Sequence, residues 1–356
     1  MVVRDDIGVI DLFCGIGGLS YGMSRRGFNI IAGFDIDKTC KFAYEENNKA
    51  RFISQDVSTI TGQQINDLFA ESEIRVLAGC APCQPFSSYA FKVKEKDSKK
   101  YNLLYEFARL IEETDPDIVT MENVAQILSF KQRPVFNDFI LKLESLGYKV
   151  SYKVVYCPDY GIPQTRKRLV LLASKMGPIS LIKPTHKKEH YKTVRDAIGA
   201  LPPIKAGETH KKDPLHTARS LSEINMKRMK FTPYGGGWKD WPEQLHLECH
   251  KKDSGKSFGS VYGRMTWEEP SPTMTTLCTG IGNGRFGHPE QNRAISLREA
   301  AIFQTFPKKY KFFAPDAPIC LTKVSRYIGN AVPPTLGKVT ADSIIRHLKK
   351  YKLIEK

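Results

Sequence analysis

The sequence predicts an α/β protein: an open, mostly parallel sheet with helices on both faces, joined to a second, smaller and loop-rich domain. Three observations predict it. Short apolar runs alternate with helix-like segments through the first half of the chain. Glycines cluster where the first apolar run passes into the first helix, as they do at a strand-to-helix turn beside a ligand. Composition then shifts: all three tryptophans and seven of the eight histidines fall between His186 and His288.

Taken in order, Val9–Phe13 reads as the first strand and Gly18–Arg26 as a helix opening on glycines. Ile30–Asp35 is the second strand, followed by a helix around Lys38–Asn47, and a third strand precedes Asp56. Val76–Gly79 and Ile118–Glu122 are further short strands. Phe136, Phe139, Ile140, Leu143 and Leu146 recur at helical spacing, and Gly147 closes that helix. Lys149–Tyr156 and Leu169–Ser174 are two later strands joined by "CPDYGIPQTRKR". The C-terminal "VPPTLGKVTADSIIRHLKKY" predicts a helix that begins at its prolines and packs back on the first domain. The expected division is 1–176 with 322–356 as one domain and 177–321 as the other, the latter including a support segment at about 290–321. His-Lys-Lys starts at His186, His210 and His250, but the irregular spacing excludes a structural repeat.

A chain of 356 residues buries a sizeable core and suggests two domains. It has no apolar run of membrane-spanning length and no N-terminal secretion signal, so a cytoplasmic, nucleoid-associated protein is expected. Eight cysteines without regular spacing fit reduced thiols. The 54 Lys and Arg against 38 Asp and Glu leave a net charge of +16, which favours a polyanionic partner, nucleic acid first.

The candidate sites follow from residue chemistry. "DLFCGIGGL" sets glycines at a turn that lets a ligand approach the backbone at a helix N-terminus. Asp35, 20 residues after Gly15, ends the second strand where a carboxylate accepts from ribose hydroxyls, and Asp56 is placed to read an adenine amino group. The stretch "GCAPCQPFSS" holds Cys80-x-x-Cys83, which reads as a redox dithiol, as half a zinc site, or as one reactive thiol beside a bystander. Pro85 suits a loop better than the helix start of a redox motif, and the candidate second pair for zinc, His246-x-x-Cys249-His250, lies in the other domain with a different pattern. No metal is expected. Cys80, directly after an apolar strand, suits a packed thiol. Glu122 closes "PDIVTMENV" at a strand's carboxyl end and is a candidate acid or base. Arg166 and Arg168 share one face of an extended segment, as donors toward an oxyanion or carboxylate.

In this order the motifs resemble the cytosine-C5 DNA methyltransferases. "DLFCGIGG" matches that family's cofactor motif, "GCAPCQPFS" its nucleophile motif, "ENV" its glutamate motif and "QTRKR" its arginine motif. "IGNAVPP" matches its C-terminal cofactor motif, and "SLREAAIFQTFP" resembles the element that supports the recognition domain. The resemblance covers the chain except roughly 177–255. It implies a Rossmann-like class I methyltransferase domain with a mixed, mostly parallel sheet, plus a smaller target-recognition domain.

The resemblance further implies S-adenosylmethionine as cofactor, S-adenosylhomocysteine as product, and double-stranded DNA as partner. Cys83 would be the nucleophile at cytosine C6, with Gln84 beside it. Glu122 would bond N3 and the 4-amino group, Arg166 the O2, and Arg168 would support Glu122 or the loop. The base would be flipped out of the duplex beneath a closing loop at 84–100. Phe13, Gly15, Gly17, Gly18, Asp35, Ile36, Asp56, Val57, Pro82, Asn330 and Val332 would hold the cofactor. Ser87, Thr275 and Thr276 would meet DNA, with Arg264, Trp238 and Lys239 as weaker candidates. The enzyme is expected to be a monomer serving restriction–modification, with a cognate endonuclease acting separately, or an orphan modification enzyme. Three other readings stand beside it: a tRNA cytosine-C5 methyltransferase of the same fold, a thiol–disulfide oxidoreductase using Cys80 and Cys83, and a silent DNA-binding regulator.

Overall fold

The computed structural model of the chain describes residues 6–82, 98–129 and 135–354. Two compact units emerge: 1–156 with 167–185 and 332–356, and 157–166 with 186–331. They differ from the division expected from sequence by grouping 157–166 and 322–331 with the second unit and 177–185 with the first.

The first unit is built on seven strands, β1 (Ile7–Leu12), β2 (Asn29–Asp35), β3 (Arg51–Ser54), β4 (Ile74–Gly79), β5 (Ile118–Val124), β6 (Lys149–Tyr156) and β7 (Lys167–Ser174), in the order β3-β2-β1-β4-β5-β7-β6. β1 to β5 pair in parallel, whereas β7 runs antiparallel to both β5 and β6. Every residue of β1 is buried, which requires cover on both faces of the sheet. On one face Ile10, Leu12, Phe34, Leu77, Met121 and Leu171 share a core with Ile65, Phe107 and Phe139. These come from helices α3 (Gly62–Phe69), α4 (Ser98–Thr114) and α5 (Val135–Ser145), which follow α1 (Gly18–Ser24) and α2 (Lys41–Asn48).

Alternation then turns Asp11 to the other face, where it meets Ser20 of α1. The C-terminal helix (Pro334–Lys350) opens on proline, as expected, and packs along α1. The approach is so close that a Cβ on Gly22 would lie 2.2 Å from the Pro334 carbonyl oxygen. Because β1 is flanked by β2 and β4, the chain leaves it in opposite directions, and the carboxyl ends of the parallel strands share the edge at which such sheets bind ligands.

The second unit has little regular structure: α6 (Val194–Ile198), a ribbon of β8 (Thr209–His210) and β9 (Asp213–Thr217), α7 (Glu223–Phe231), α8 (Glu248–Lys251), α9 (Asp253–Lys256), α10 (Leu297–Phe303) and α11 (Leu321–Asn330). Its small apolar clusters, around Met229 and around Trp238, are supplemented by buried arginines. Arg293 donates from Nη1 and Nη2 to the two Glu299 oxygens, each at 2.7 Å, with both side chains almost fully buried. Burial alone would raise the Glu299 pKa. The Arg293 hydrogen bonds and charge override it and hold the carboxyl below the usual range. Glu299 also closes a capping box with Ser296 at the start of α10.

Arg293→Met therefore leaves a buried carboxylate unpaired, and is expected to cost about 3–5 kcal/mol of stability in urea unfolding. A loss below about 1 kcal/mol would contradict the pairing as a support of this unit.

Candidate active site

The turn after β1 is fixed by hydrogen bonds rather than by a large side chain. Cys14 N donates to Phe34 O at 3.0 Å, and Gly15 N donates to Asp35 Oδ2 at 2.8 Å. The other Asp35 oxygen accepts from Asp37 N at 2.8 Å, so one carboxylate ties the ends of β1 and β2 together. Phe13, Gly15 and Gly17 all have positive φ, of 58°, 52° and 83°. At Gly15 a Cβ would meet only open space, so the turn presents bare backbone to a ligand. At Gly17 it would lie 2.2 Å from Asn48 Nδ2, so that glycine is required by packing. Gly18 is buried at the start of α1.

Further along the same edge, Ile36 is 71% exposed, an unusual state for isoleucine directly after a buried strand. Asp56 is exposed and caps the following turn, accepting from Ser58 N at 3.0 Å and from Ser58 Oγ at 2.8 Å. Val57, next to it, is buried.

β4 ends at Gly79, and the chain beyond it is anchored twice: Cys80 N donates to Leu12 O at 3.2 Å, and Asn123 Nδ2 donates to Ala81 O at 3.4 Å. Cys80 is half-buried and Pro82 exposed. Cys83, Gln84, Ser87 and most of the expected closing loop lie outside the described residues. The chain entering Cys83 is thus held by the residue that follows Glu122.

Glu122 itself is 8% exposed on β5. It stands opposite Val170 of β7, which makes Arg168, two residues back, its diagonal neighbour on the same face. Arg168 Nε lies 3.0 Å from Glu122 Oε1. The N–H is not aligned for a hydrogen bond to that oxygen, so the contact is ionic. Arg168 Nη1 is held by the Lys167 carbonyl at 2.8 Å, which fixes the guanidinium independently of the carboxylate.

Residues 7–346 match the family model of the C-5 cytosine-specific DNA methylases. The type II methylase M.HgiDII of Herpetosiphon aurantiacus is 54% identical, with 96% of each chain covered. The type II methyltransferase M1.HphI of Haemophilus parahaemolyticus is 31% identical, covering 95% of this chain and 86% of that one. A solved structure assigned as a prophage-encoded DNA modification methyltransferase of E. coli superposes with a TM-score of 0.74 at 24% identity, over 96% of this chain and 99% of that one, a likeness of fold.

The chain belongs to the C-5 cytosine-specific DNA methylase family.

It is a DNA (cytosine-5-)-methyltransferase by that membership, and the family is S-adenosylmethionine-dependent. The residues present suit that group: bare backbone at Gly15, an anchored carboxylate at Asp35, an exposed apolar side chain at Ile36 and a carboxylate at Asp56. In the second unit, Arg166 is almost fully buried and donates to Met274 O at 3.2 Å and Ala331 O at 3.4 Å. Asn330 is exposed at the end of α11, whereas Val332, in the first unit, is buried. Thr275 and Thr276 are half-buried, and a Cβ on Gly329 would lie 2.2 Å from the Thr275 carbonyl carbon.

Two basic or aromatic DNA-contact expectations need correction. Arg264 is 4% exposed, and its guanidinium donates to the carbonyls of Thr232, His288, Gln291 and Met229 and to the Asn292 side chain. Those donors are spent on the framework, which leaves Arg264 none for DNA. Trp238 is buried, stacked on His250 with centroids 4.0 Å apart, and belongs to the core; Lys239, beside it, is exposed.

Sequence reasoning gave no role to Asp11, though it lies in the quoted glycine motif. Asp11 is 1% exposed, accepts from Ser20 Oγ at 2.5 Å, and its Oδ1 has no hydrogen-bond partner among the described residues. Burial, opposed by the Ser20 hydrogen bond and reinforced by the Asp35 charge, pushes its pKa up to about 7. The folded chain therefore holds a proton there that the unfolded chain loses near its ordinary 3.8. Between those values stability falls as pH rises. Asp11→Asn removes this dependence while keeping an acceptor for Ser20. The difference in melting temperature, variant minus wild type, is expected to grow as pH rises from about 5 to about 8; a flat or falling difference would contradict a buried neutral acid.

Proposed function

We propose that the chain transfers a methyl group to C5 of a cytosine flipped out of a specific duplex DNA sequence, through a covalent bond between Cys83 and C6. The family match over residues 7–346 carries this reading, and the anchoring of residues 80–81 beside Glu122 supports it.

Cytosine C5 is a poor nucleophile because its electrons are delocalised in the ring. Cys83 Sγ, as thiolate, donates a pair to C6, and the C5–C6 pair moves onto C5. Glu122, sharing a proton with the ring, donates to N3 and accepts from the 4-amino group, and Arg166 donates to O2, so charge pushed into the ring is met where it develops. Arg168, 3.0 Å from Glu122 Oε1, holds that side chain in place. S-adenosylmethionine, when bound, supplies an electrophilic methyl group on its sulfonium. Phe13, Gly15, Gly17 and Gly18 would line its methionine portion, and Asp35 would hold its ribose. Ile36, Asp56 and Val57 would receive its adenine, and Pro82, Asn330 and Val332 would contribute to its binding. When C5 then loses its proton to a water molecule, the C–H pair reforms C5=C6, and the C6–S pair returns to Cys83 as thiolate. Gln84 supports the nucleophile's loop, Ser87 fills space beside the extruded base, and Thr275 and Thr276 contact the backbone. The second unit then serves as target-recognition domain. The names of M.HgiDII and M1.HphI support a type II restriction–modification setting, with a cognate endonuclease acting separately.

Duplex DNA containing 5-fluorocytosine tests the reaction, because fluorine at C5 cannot leave as a proton does and the adduct is trapped. With S-adenosylmethionine present, a covalent protein–DNA adduct is expected for wild type and for Cys80→Ser, and none for Cys83→Ser. An adduct that requires Cys80 would overturn the assignment, and transfer to tRNA but not to DNA would overturn the substrate. Glu122→Gln should keep DNA binding but lower kcat by about 10²-fold or more, the scale of one lost proton-handling group.

A further inference from the structure

Two glutamines that the mechanism leaves without a role meet inside the second unit. Gln164 and Gln304 are both 0% exposed. Gln164 Nε2 donates to Gln304 Oε1 at 2.8 Å and to Phe303 O at 3.1 Å, while its Oε1 accepts from Met274 N at 2.8 Å. Gln304 Nε2 donates to Ile328 O at 2.5 Å and to Ala331 O at 3.1 Å. All four N–H donors of the two amides are used, and flipping Gln164 would set its NH2 against the Met274 N–H and its oxygen against the Phe303 carbonyl.

The groups gripped by this pair are those that hold Arg166. Met274 donates its N–H to Gln164 and receives Arg166 Nη1 on its carbonyl. The Ala331 carbonyl accepts from both Gln304 Nε2 and Arg166 Nη2. Thus the arginine turn, the strip leading to Thr275, the end of α10 and the strip leading from Asn330 close into one ring of hydrogen bonds. Four segments far apart in sequence share two buried amides, where no water competes for the bonds.

We propose that Gln164 and Gln304 are positioning residues for methyl transfer, a buried amide pair that sets Arg166 and the 328–331 strip as one piece. The inference rests on the methyl-transfer reading above. Gln164→Glu separates its two functions: the side chain keeps an oxygen for Met274 N but as a carboxylate loses both donors. Protonation restores one donor to Gln304 Oε1. Gln164→Met and Gln304→Met remove the polar groups at every pH.

The test measures kcat and KM of the full chain on duplex DNA for wild type and the three variants across pH, at a temperature where circular dichroism shows each folded. For Gln164→Glu, the ratio of variant to wild-type kcat should rise as pH falls, by up to about tenfold per unit. The methionine variants should lose about 10²-fold in kcat at all pH values, with KM changed much less, the scale of a misplaced catalytic group. A methionine variant that does not fold leaves the pH ratio of Gln164→Glu as the deciding measurement. Wild-type transfer with a pH-independent Gln164→Glu ratio would overturn the pairing alone. No methyl transfer to DNA by the wild type would overturn the functional reading itself.

Discussion

The reversed strand β7 is the constraint on which the site depends. Because it runs antiparallel between β5 and β6, its first residues lie beside the last residues of β5. That register makes Arg168 the diagonal neighbour of Glu122, and the carboxylate gains a fixed cation 3.0 Å away without leaving the strand. A parallel β7 would set its last residues there, and the arginine would stand at the opposite edge. Asn123, one residue on, ties down the chain at Ala81, so a single strand end positions both Glu122 and the segment that follows β4.

The β1–β2 edge of the sheet uses the same economy of parts. Asp35 accepts backbone N–H groups from both sides of the β1–β2 edge, and Gly15 leaves its backbone uncovered. Beneath this turn the polar group Asp11 is buried against Ser20, whose hydroxyl also lies 3.3 Å from that of Tyr44. The turn is therefore held rigid from below by side chains and left open above. In the second unit, regular elements are short, and arginines and glutamines supply the order that secondary structure does not.

Much of this was legible in the sequence where the signal is local. Glu122 stands out because "PDIVTMENV" is an apolar strand ending in a carboxylate, and Asp35 because it follows the glycine turn at the interval of a strand and helix. The order of the strands was not legible, since register depends on pairings between distant segments, and so the geometric reason for Arg168 was hidden. Arg264 shows the converse limit. Its charge suggests DNA, yet the bends of 229–236 and 288–292 offer inward carbonyls that only such a fork of donors satisfies. Gln164 and Gln304, 140 residues apart, carry no sequence mark of their partnership. Helices α3 and α4, which cover much of the sheet, also went unmarked by the periodicity that revealed α5.

The proposed function has Cys83 and Glu122 direct methylation to ring carbon C5. Digesting duplex DNA to nucleosides after incubation with the chain and labelled S-adenosylmethionine, then resolving them by mass spectrometry, tests it most directly. Label in 5-methyldeoxycytidine, lost with Cys83→Ser, is the predicted result. Label in N4-methyldeoxycytidine or N6-methyldeoxyadenosine, or C5 methylation that survives Cys83→Ser, would contradict it.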